Sequence, residues 1–175
     1  YDLAGRLSTA VSTINGQTHS TQYTYDANGN RRSRTRDNLT LLALYDQEDR
    51  LLSYGDLIFE YNDHGDLKKK TNTTTSDSTT YTYNQLGQLT QVTLPDLRQI
   101  TYSIDGEGKR QSKSVNGVVD TYFIYDFNGR LVAELNPSGS LRSHFVYATQ
   151  SHSPDLMIRY GVTYRFAKDH LGSIR

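Results

Sequence analysis

The chain has 175 residues, a formal net charge of zero and a hydrophobic share of 35%, so apolar material is short for a thick core, and no global charge favours nucleic acid or an anionic membrane. Cysteine is absent, which excludes disulfides and thiolate metal sites, and no segment reaches the ~18 apolar residues of a membrane-spanning helix. Tyrosine is abundant, with 14 Tyr against 5 Phe and no Trp. Tyr and Thr favour strands, so we predict an all-β protein.

Seven copies of one motif, Tyr-Asp-x-x-Gly-Arg-Leu, run along the chain. They begin at Tyr1, Tyr25, Tyr45, Tyr61, Tyr83, Ile104 and Tyr125. Asp or Asn followed three residues later by Gly is typical of a type I turn that ends in a left-handed residue, because the Asx side chain caps the turn and Gly accepts a positive φ. Asp49 and Leu97 stand where Gly would be easier. The starts lie 16 to 24 residues apart, which predicts hairpins of unequal length.

A second class of turn lies between the motif copies. Its members are Asn15-Gly16, Asp37-Asn38, Pro95-Asp96, Asn116-Gly117, Pro137-Ser138-Gly139 and Tyr160-Gly161. We therefore predict a long antiparallel meander of about fourteen to sixteen strands, each about six to nine residues long. One rim carries the Asp-x-x-Gly turns and the other rim carries the Asn-Gly type. So many strands also predict a sheet that curls.

Aromatic residues two positions apart precede the motif turns. The pairs are Tyr23/Tyr25, Phe59/Tyr61, Tyr81/Tyr83 and Phe123/Tyr125, and Phe145/Tyr147 and Tyr164/Phe166 repeat the pattern further on. Because side chains alternate across a strand, each pair points to one side, and stacked pairs predict an aromatic ladder. The spaces between them are assigned to Leu7, Leu51, Leu67, Leu89 and Leu131.

These motifs resemble the YD repeats of RHS proteins, wall-associated proteins, toxin-complex C components and teneurins. The last residues, Asp169-His-Leu-Gly-Ser-Ile-Arg175, are similar to the motif at which such repeats give way to a C-terminal core. The resemblance implies part of a spiral β-sheet shell, with YD/RHS repeats over 1–147 and a transition over 148–175 that contains a β-hairpin. It assigns the structural repeat motif to Tyr25, Asp26, Gly29, Tyr61, Gly65, Tyr83, Gly87, Tyr125, Asp126, Gly129, Asp169, His170 and Gly172.

Catalytic or binding interpretations of individual residues are weaker than structural ones. Asp169 and His170 could serve acid–base chemistry, but neighbouring residues on a strand face opposite ways, so we expect a structural corner. Arg32, Arg34 and Arg36 alternate and predict one basic strand face, and Lys68 to Lys70 form a second basic spot. We expect a solvated face neutralised by acids such as Asp46, Glu48 and Asp49. No residue spacing points to a metal, a cofactor or catalysis.

The resemblance implies a structural shell segment of a bacterial RHS/YD-repeat toxin-type protein, not an enzyme, which encapsulates a C-terminal toxin or other cargo. The alternative is an exported, wall-associated adhesin that binds glycan or a protein. Expected partners are the rest of the parent chain and a second copy bound through open sheet edges. We expect the protein to be secreted or attached to the bacterial surface.

Overall fold

The structure, a computed structural model, describes residues 1–169 and 172–174. Sixteen β-strands account for its regular secondary structure, and the described residues contain no helix. The strands are β1 (Thr9–Ile14), β2 (Gln17–Tyr25), β3 (Arg31–Arg36), β4 (Leu39–Tyr45), β5 (Leu51–Tyr54), β6 (Leu57–Tyr61), β7 (Leu67–Asn72), β8 (Ser78–Tyr83), β9 (Leu89–Thr93), β10 (Gln99–Ile104), β11 (Arg110–Val115), β12 (Val118–Tyr125), β13 (Leu131–Leu135), β14 (Leu141–Val146), β15 (Leu156–Arg159) and β16 (Val162–Arg165).

Strand order in the sheet follows chain order from β1 to β16, and the strand pairs are antiparallel. The predicted all-β antiparallel meander is confirmed, at the upper end of the predicted strand count. Strands are four to nine residues long, so the predicted lower bound of six was wrong. The short strands follow from close turns: only 16 residues separate Tyr45 from Tyr61, and two connections and two strands share them.

The chain divides into two compact units, Tyr1–Thr80 and a second that begins at Tyr81. The first contains β1 to β7 and the start of β8; the second contains the rest of β8 and β9 to β16. In the second unit β14 pairs with β15 and β15 with β16, so antiparallel pairing continues beyond residue 147. The curling of the sheet and the division at 147/148 stay predictions.

The motif turns have the geometry that their sequence predicts. In the turn after β2, the N–H of Gly29 donates to the carbonyl of Asp26 at 3.2 Å, and the N–H of Asp26 donates to the carbonyl of Asn30 at 2.9 Å. Gly29 has a φ of 92°. The positive φ expected at the two irregular positions is confirmed, at 59° for Asp49 and 66° for Leu97.

The motif turns follow even-numbered strands and the second class of turn follows odd-numbered strands, so the two classes lie at opposite rims as predicted, but the second class is not uniform. The turns Leu94–Leu97 and Asn136–Gly139 alternate with motif turns along the meander, yet they have the same pair of backbone hydrogen bonds as a motif turn. The physical reason is Pro at the second turn position, which presets the φ of a type I turn and allows a left-handed fourth residue. Two connections were missed altogether, one at Gly55 (φ 56°) and one that contains Ser76 (φ 63°).

Few side chains are buried, and those are small. They are Thr21, Ala43, Thr79, Val92, Thr121 and Ser143. Along β2, burial alternates so that Thr21, Tyr23 and Tyr25 share one face, as the pairing of aromatics predicts. In both units a buried Ser or Thr lies four residues before a Tyr that ends a strand, as in Thr21/Tyr25 and Thr121/Tyr125. The apolar and hydroxyl-bearing residues of a single sheet layer therefore take the place of a deep core.

Leu97 offers a test of this turn geometry. Changing Leu97 to Gly should raise the free energy of unfolding by about 1 kcal/mol, because a left-handed L-residue is strained and this side chain is 79% exposed, so little burial is lost. Leu86→Gly is the matched control, since Leu86 is a turn residue 80% exposed without a positive φ. Urea unfolding should give a higher midpoint for the first variant and an equal or lower midpoint for the second. Equal midpoints for both variants would contradict the strain at Leu97.

Candidate structural site at the repeat turns

Each motif turn is held by the side chain of its Asp or Asn. The Oδ1 atom of Asp126 accepts hydrogen bonds from the backbone N–H groups of Asn128 and Arg130, both at 2.9 Å. Asn62 accepts the equivalent pair from His64 at 3.0 Å and from Asp66 at 2.9 Å. An amide oxygen accepts as a carboxylate oxygen does, which explains why Asn can stand in for Asp in the motif.

The second carboxylate oxygen binds the Arg at the sixth motif position. Arg130 Nε donates a hydrogen bond to Asp126 Oδ2 at 2.7 Å, and Arg130 Nη2 forms an ion pair with the same oxygen at 2.6 Å. The pairs Asp2–Arg6 and Asp46–Arg50 repeat the Nε contact at 2.8 and 2.7 Å. The backbone N–H of Arg130, then its guanidinium, lowers the pKa of Asp126. The carboxylate thus stays ionised and fixes the direction of the Arg side chain.

That Arg lies over the second residue of the next aromatic pair along the chain. The Cζ atom of Arg130 is 5.1 Å from the ring centroid of Tyr147, and Arg6 lies 4.7 Å from the ring of Tyr25. These distances are in the range of cation–π attraction, which contributes ~0.5–1 kcal/mol at exposed sites. The Arg therefore links its own turn to a Tyr two strands further along the chain.

The hydroxyl of the same Tyr completes the contact. Tyr147 Oη donates to the carbonyl of Leu131 at 3.0 Å, and Tyr25 Oη donates to the carbonyl of Leu7 at 2.7 Å. The accepting residue is the seventh of the preceding motif. Burial raises the pKa of Tyr147, as expected for a ring packed into the layer.

We call each such group a rung: the motif Asp and Arg of one repeat, the second Tyr of the next aromatic pair, and the carbonyl to which the hydroxyl of that Tyr donates. Complete rungs are Asp2–Arg6–Tyr25, Asp46–Arg50–Tyr61 and Asp126–Arg130–Tyr147. The sequence identifies the Asp and Tyr of a rung, but the role of the Arg was missed. Its signal was its recurrence at the sixth motif position in three of the seven copies.

The structure gives the remaining predicted motif residues positions of the same kind. Gly65, Gly87 and Gly129 have φ values of 86°, 73° and 74°. Asp169 also opens a turn, because its Oδ1 accepts the N–H of Ser173 at 2.9 Å and its carbonyl accepts the N–H of Gly172 at 3.0 Å. These bonds of Asp169, Gly172 and Ser173 match those of a motif turn. His170 lies outside the described residues.

The predicted basic face of β3 needs two corrections. The pairing register shifts between Thr24 and Tyr25, and this bulge breaks the alternation that would place Arg32 beside Arg34 and Arg36. The expected neutralising acids are also engaged elsewhere. Asp46 and Glu48 pair with Arg50, and Asp49 Oδ1 accepts the amide groups of Asn28 and Asn30 at 2.8 and 2.6 Å.

A second polar cluster joins strands of the second unit, and no sequence motif pointed to it. Arg142 on β14 reaches Asp120 and Thr121 on β12: its Nη1 donates to Asp120 Oδ2 at 3.1 Å and to Thr121 Oγ1 at 2.6 Å, and its Nη2 donates to the carbonyl of Asp120 at 2.7 Å. Its Nε donates to Asn136 Oδ1 at 2.9 Å. The Arg142 side chain is 14% exposed. Every guanidinium nitrogen therefore has a partner, either on β12 or in the turn between β13 and β14.

Over the part of the chain that the structure describes, no helix is long and apolar enough to cross a membrane. Within the same residues, His, Asp and Glu form no group placed to hold a metal ion.

Comparison with known proteins gives a family and several relatives. The model of the family "Teneurin YD-shell" matches residues 1–175. The tRNA nuclease WapA of Bacillus subtilis is 36% identical over 149 residues, which cover 82% of this chain and 6% of that protein. The tRNA3(Ser)-specific nuclease WapA of Bacillus spizizenii is 35% identical with the same coverage. The chain thus spans 6% of the length of these curated relatives.

Solved structures give weaker matches. A crystal structure of TcdB2-TccC3-TEV has a TM-score of 0.49 at 11% identity and covers 95% of this chain and 11% of that chain. The Photorhabdus luminescens Tc holotoxin pore has a TM-score of 0.32 at 13% identity and covers 90% and 12%. The family match extends over the whole sequence, and the predicted resemblance to YD/RHS repeats is confirmed. The chain belongs to the Teneurin YD-shell family and is a shell segment, not an enzyme.

Proposed function

We propose that this segment is part of the wall of a hollow shell that encloses a C-terminal toxin or other cargo polypeptide of its own parent chain. The observation that carries the proposal is the rung. A wall has to hold together without packing against its contents, and the rungs supply cohesion between adjacent repeats inside a single layer. The Asp, Arg and Tyr groups of Asp126–Arg130–Tyr147 bind one another, so no partner is needed to satisfy them.

The names of the relatives support one class of cargo. Both curated relatives are nucleases by name, and the match covers 6% of each. A nuclease or another toxic enzyme, carried elsewhere in the parent chain, is therefore the cargo class we propose. A toxin has to leave its producer to act on another cell, so we also propose that the parent protein is secreted or exposed on the bacterial surface.

The rungs also weigh against the alternative of a glycan-binding adhesin. A sugar stacks on an open aromatic face and hydrogen-bonds at its edge. In the complete rungs an Arg lies over the ring of Tyr25, Tyr61 or Tyr147, and the hydroxyl of that Tyr is bonded to a backbone carbonyl. These tyrosines are thus engaged within the wall.

Limited proteolysis of the full parent protein, followed by mass spectrometry, tests the proposal. We expect the region downstream of residue 175 to survive in the parent, because a shell wall excludes the protease from it. The same region expressed alone should be digested at the same protease concentration. If it is cut as fast in the parent as alone, encapsulation is wrong, and an exposed binding scaffold becomes the better interpretation.

A further inference from the structure

The connection between β14 and β15 is organised by one carboxylate. Asp155 Oδ2 accepts the backbone N–H groups of Ala148 and Thr149 at 2.7 and 2.8 Å, and Oδ1 accepts the hydroxyl of Thr149 at 2.5 Å. The backbone of Asp155 extends the strand pairing, since its N–H donates to the carbonyl of Val146 at 2.8 Å. The side chain of Asp155 therefore binds the start of the β14–β15 loop, and its backbone pairs with β14 at the end of that loop.

The same residue binds the segment that follows β16. Lys168 Nζ donates to Asp155 Oδ1 at 3.0 Å and to the carbonyl of Ser153 at 3.1 Å. The N–H of Phe166 donates to the carbonyl of Asp155 at 3.0 Å. The side chains of Lys168 and Asp155 are only 14% and 20% exposed, so this ion pair is better shielded from water than most of the ion pairs among the described residues. Charge-assisted hydrogen bonds are stronger than hydrogen bonds between neutral groups.

Bonds donated by Thr149 come first among the causes that lower the pKa of Asp155, and Lys168 adds to them. The carboxylate is therefore ionised at neutral pH and is fully occupied by donors from two separate stretches of chain. One carboxylate therefore holds both stretches, and its loss would release both.

We propose that Asp155 is a positioning residue that clasps residues 166–169 to the β14–β15 loop and so directs the chain into the Asp169–Gly172 turn. Lys168 is the link, because it binds Asp155 and lies directly before that turn, where it also forms a β-bridge with Ile174. The clasp fixes the course of the polypeptide after the last strand. It rests on these contacts alone and stands whether or not the shell encloses cargo.

Hydrogen exchange of the chain measured by mass spectrometry tests the clasp through Asp155→Asn, which keeps the size but replaces one accepting oxygen with a donor. We expect exchange at Ala148 and Thr149 and at residues 166–169 to rise together by about tenfold, because loss of charged hydrogen bonds lowers the free energy of local opening. Exchange in β10 and β11 should stay unchanged, which distinguishes local release from global unfolding.

Two further variants make the result decisive. Lys168→Met should raise exchange about tenfold at residues 166–169 only, with Ala148 and Thr149 unchanged, and it tests the link even if Asp155→Asn does not fold. Asp96→Asn is the matched control, because Asp96 is a turn carboxylate paired with Arg98 but 52% exposed, and it should leave both segments unchanged. If Lys168→Met leaves exchange at 166–169 unaltered, or Asp155→Asn affects the loop alone, Asp155 caps the loop and the clasp is wrong.

Discussion

Replacing Arg142 with Ala is expected to lower the free energy of unfolding by about 2–4 kcal/mol. The Arg142 side chain is 14% exposed and donates to Asp120, Thr121 and Asn136. Its removal leaves the carbonyl and carboxylate of Asp120 without their main donor, and an unmatched polar group costs more than the bond itself contributed. Urea unfolding followed by circular dichroism measures the loss.

Arg98→Ala is the control, because Arg98 pairs with Asp96 in a turn where both side chains are more than half exposed, at 57% and 52%. Exposed pairs contribute ~0–1 kcal/mol, so this variant should stay close to the parent. If both variants lose the same small amount, the cluster around Arg142 does not hold β12 and β14 together.

Acid titration gives the same cluster a second readout. Hydrogen bonds from Arg142 and then from Thr121 lower the pKa of Asp120 from its ordinary value of 3.8 to about 2. The folded pKa lies below the unfolded one, so the stabilisation is fully present above about pH 4 and is lost as pH falls from about 4 to 2. The difference in unfolding free energy between the parent and Arg142→Ala should therefore shrink over that window.

Local chemistry made the repeat predictable. An Asp-x-x-Gly turn needs only contacts within five residues, so Asp126 and Gly129 could be interpreted from the sequence without knowing their neighbours. The shared face of Tyr23 and Tyr25 is equally local, because it depends on strand alternation alone. The strand order followed in turn, since short connections between consecutive strands leave an antiparallel meander as the simplest arrangement.

Features that depend on strand register were beyond the sequence. Arg142 and Asp120 are 22 positions apart in the sequence, and they meet because a single strand, β13, lies between β12 and β14. The pairing of β11 with β12 also shifts between Lys113 and Ser114, next to this contact. The shift between Thr24 and Tyr25 likewise removed Arg32 from the face that simple alternation had assigned to it. A bulge inserts one residue and reverses the side-chain direction that simple alternation assigns beyond it. The same shift adjoins the motif turns after β4, β6, β10 and β12, so it recurs with the motif, but strand alternation alone does not place it.

The rungs explain why the motif carries Arg as well as Tyr and Asp. Asp126 orients Arg130 in its own turn, and Arg130 then lies over Tyr147, the second residue of the next aromatic pair. An Arg that is fixed by a contact within its own turn thus makes a second contact further along the chain, where repeats start about 21 positions apart. Where the sixth residue is Asn30, the amide still bonds to Asp26 at 3.2 Å, but it has no cation to place over a ring.

Gly29→Val should lower the free energy of unfolding by about 2 kcal/mol, because Gly29 has a φ of 92° and a β-branched residue is strained in that region. An added Cβ would meet nothing within 4 Å, so the loss reports the backbone conformation and not a steric clash. Gly117→Val should behave alike in the second unit, since Gly117 has a φ of 80° and equally open surroundings.

Gly106→Val is the matched control. Gly106 belongs to a motif turn, has open space around its Cβ position and has no positive φ, so the same substitution should change unfolding by less than about 0.5 kcal/mol. Asp49→Gly should also have a smaller effect than Gly29→Val, because relief of strain at its φ of 59° offsets the hydrogen bonds lost with Asn28 and Asn30. Urea midpoints that fall equally for Gly29→Val and Gly106→Val would show that bulk on the turn, not the left-handed backbone, limits this motif.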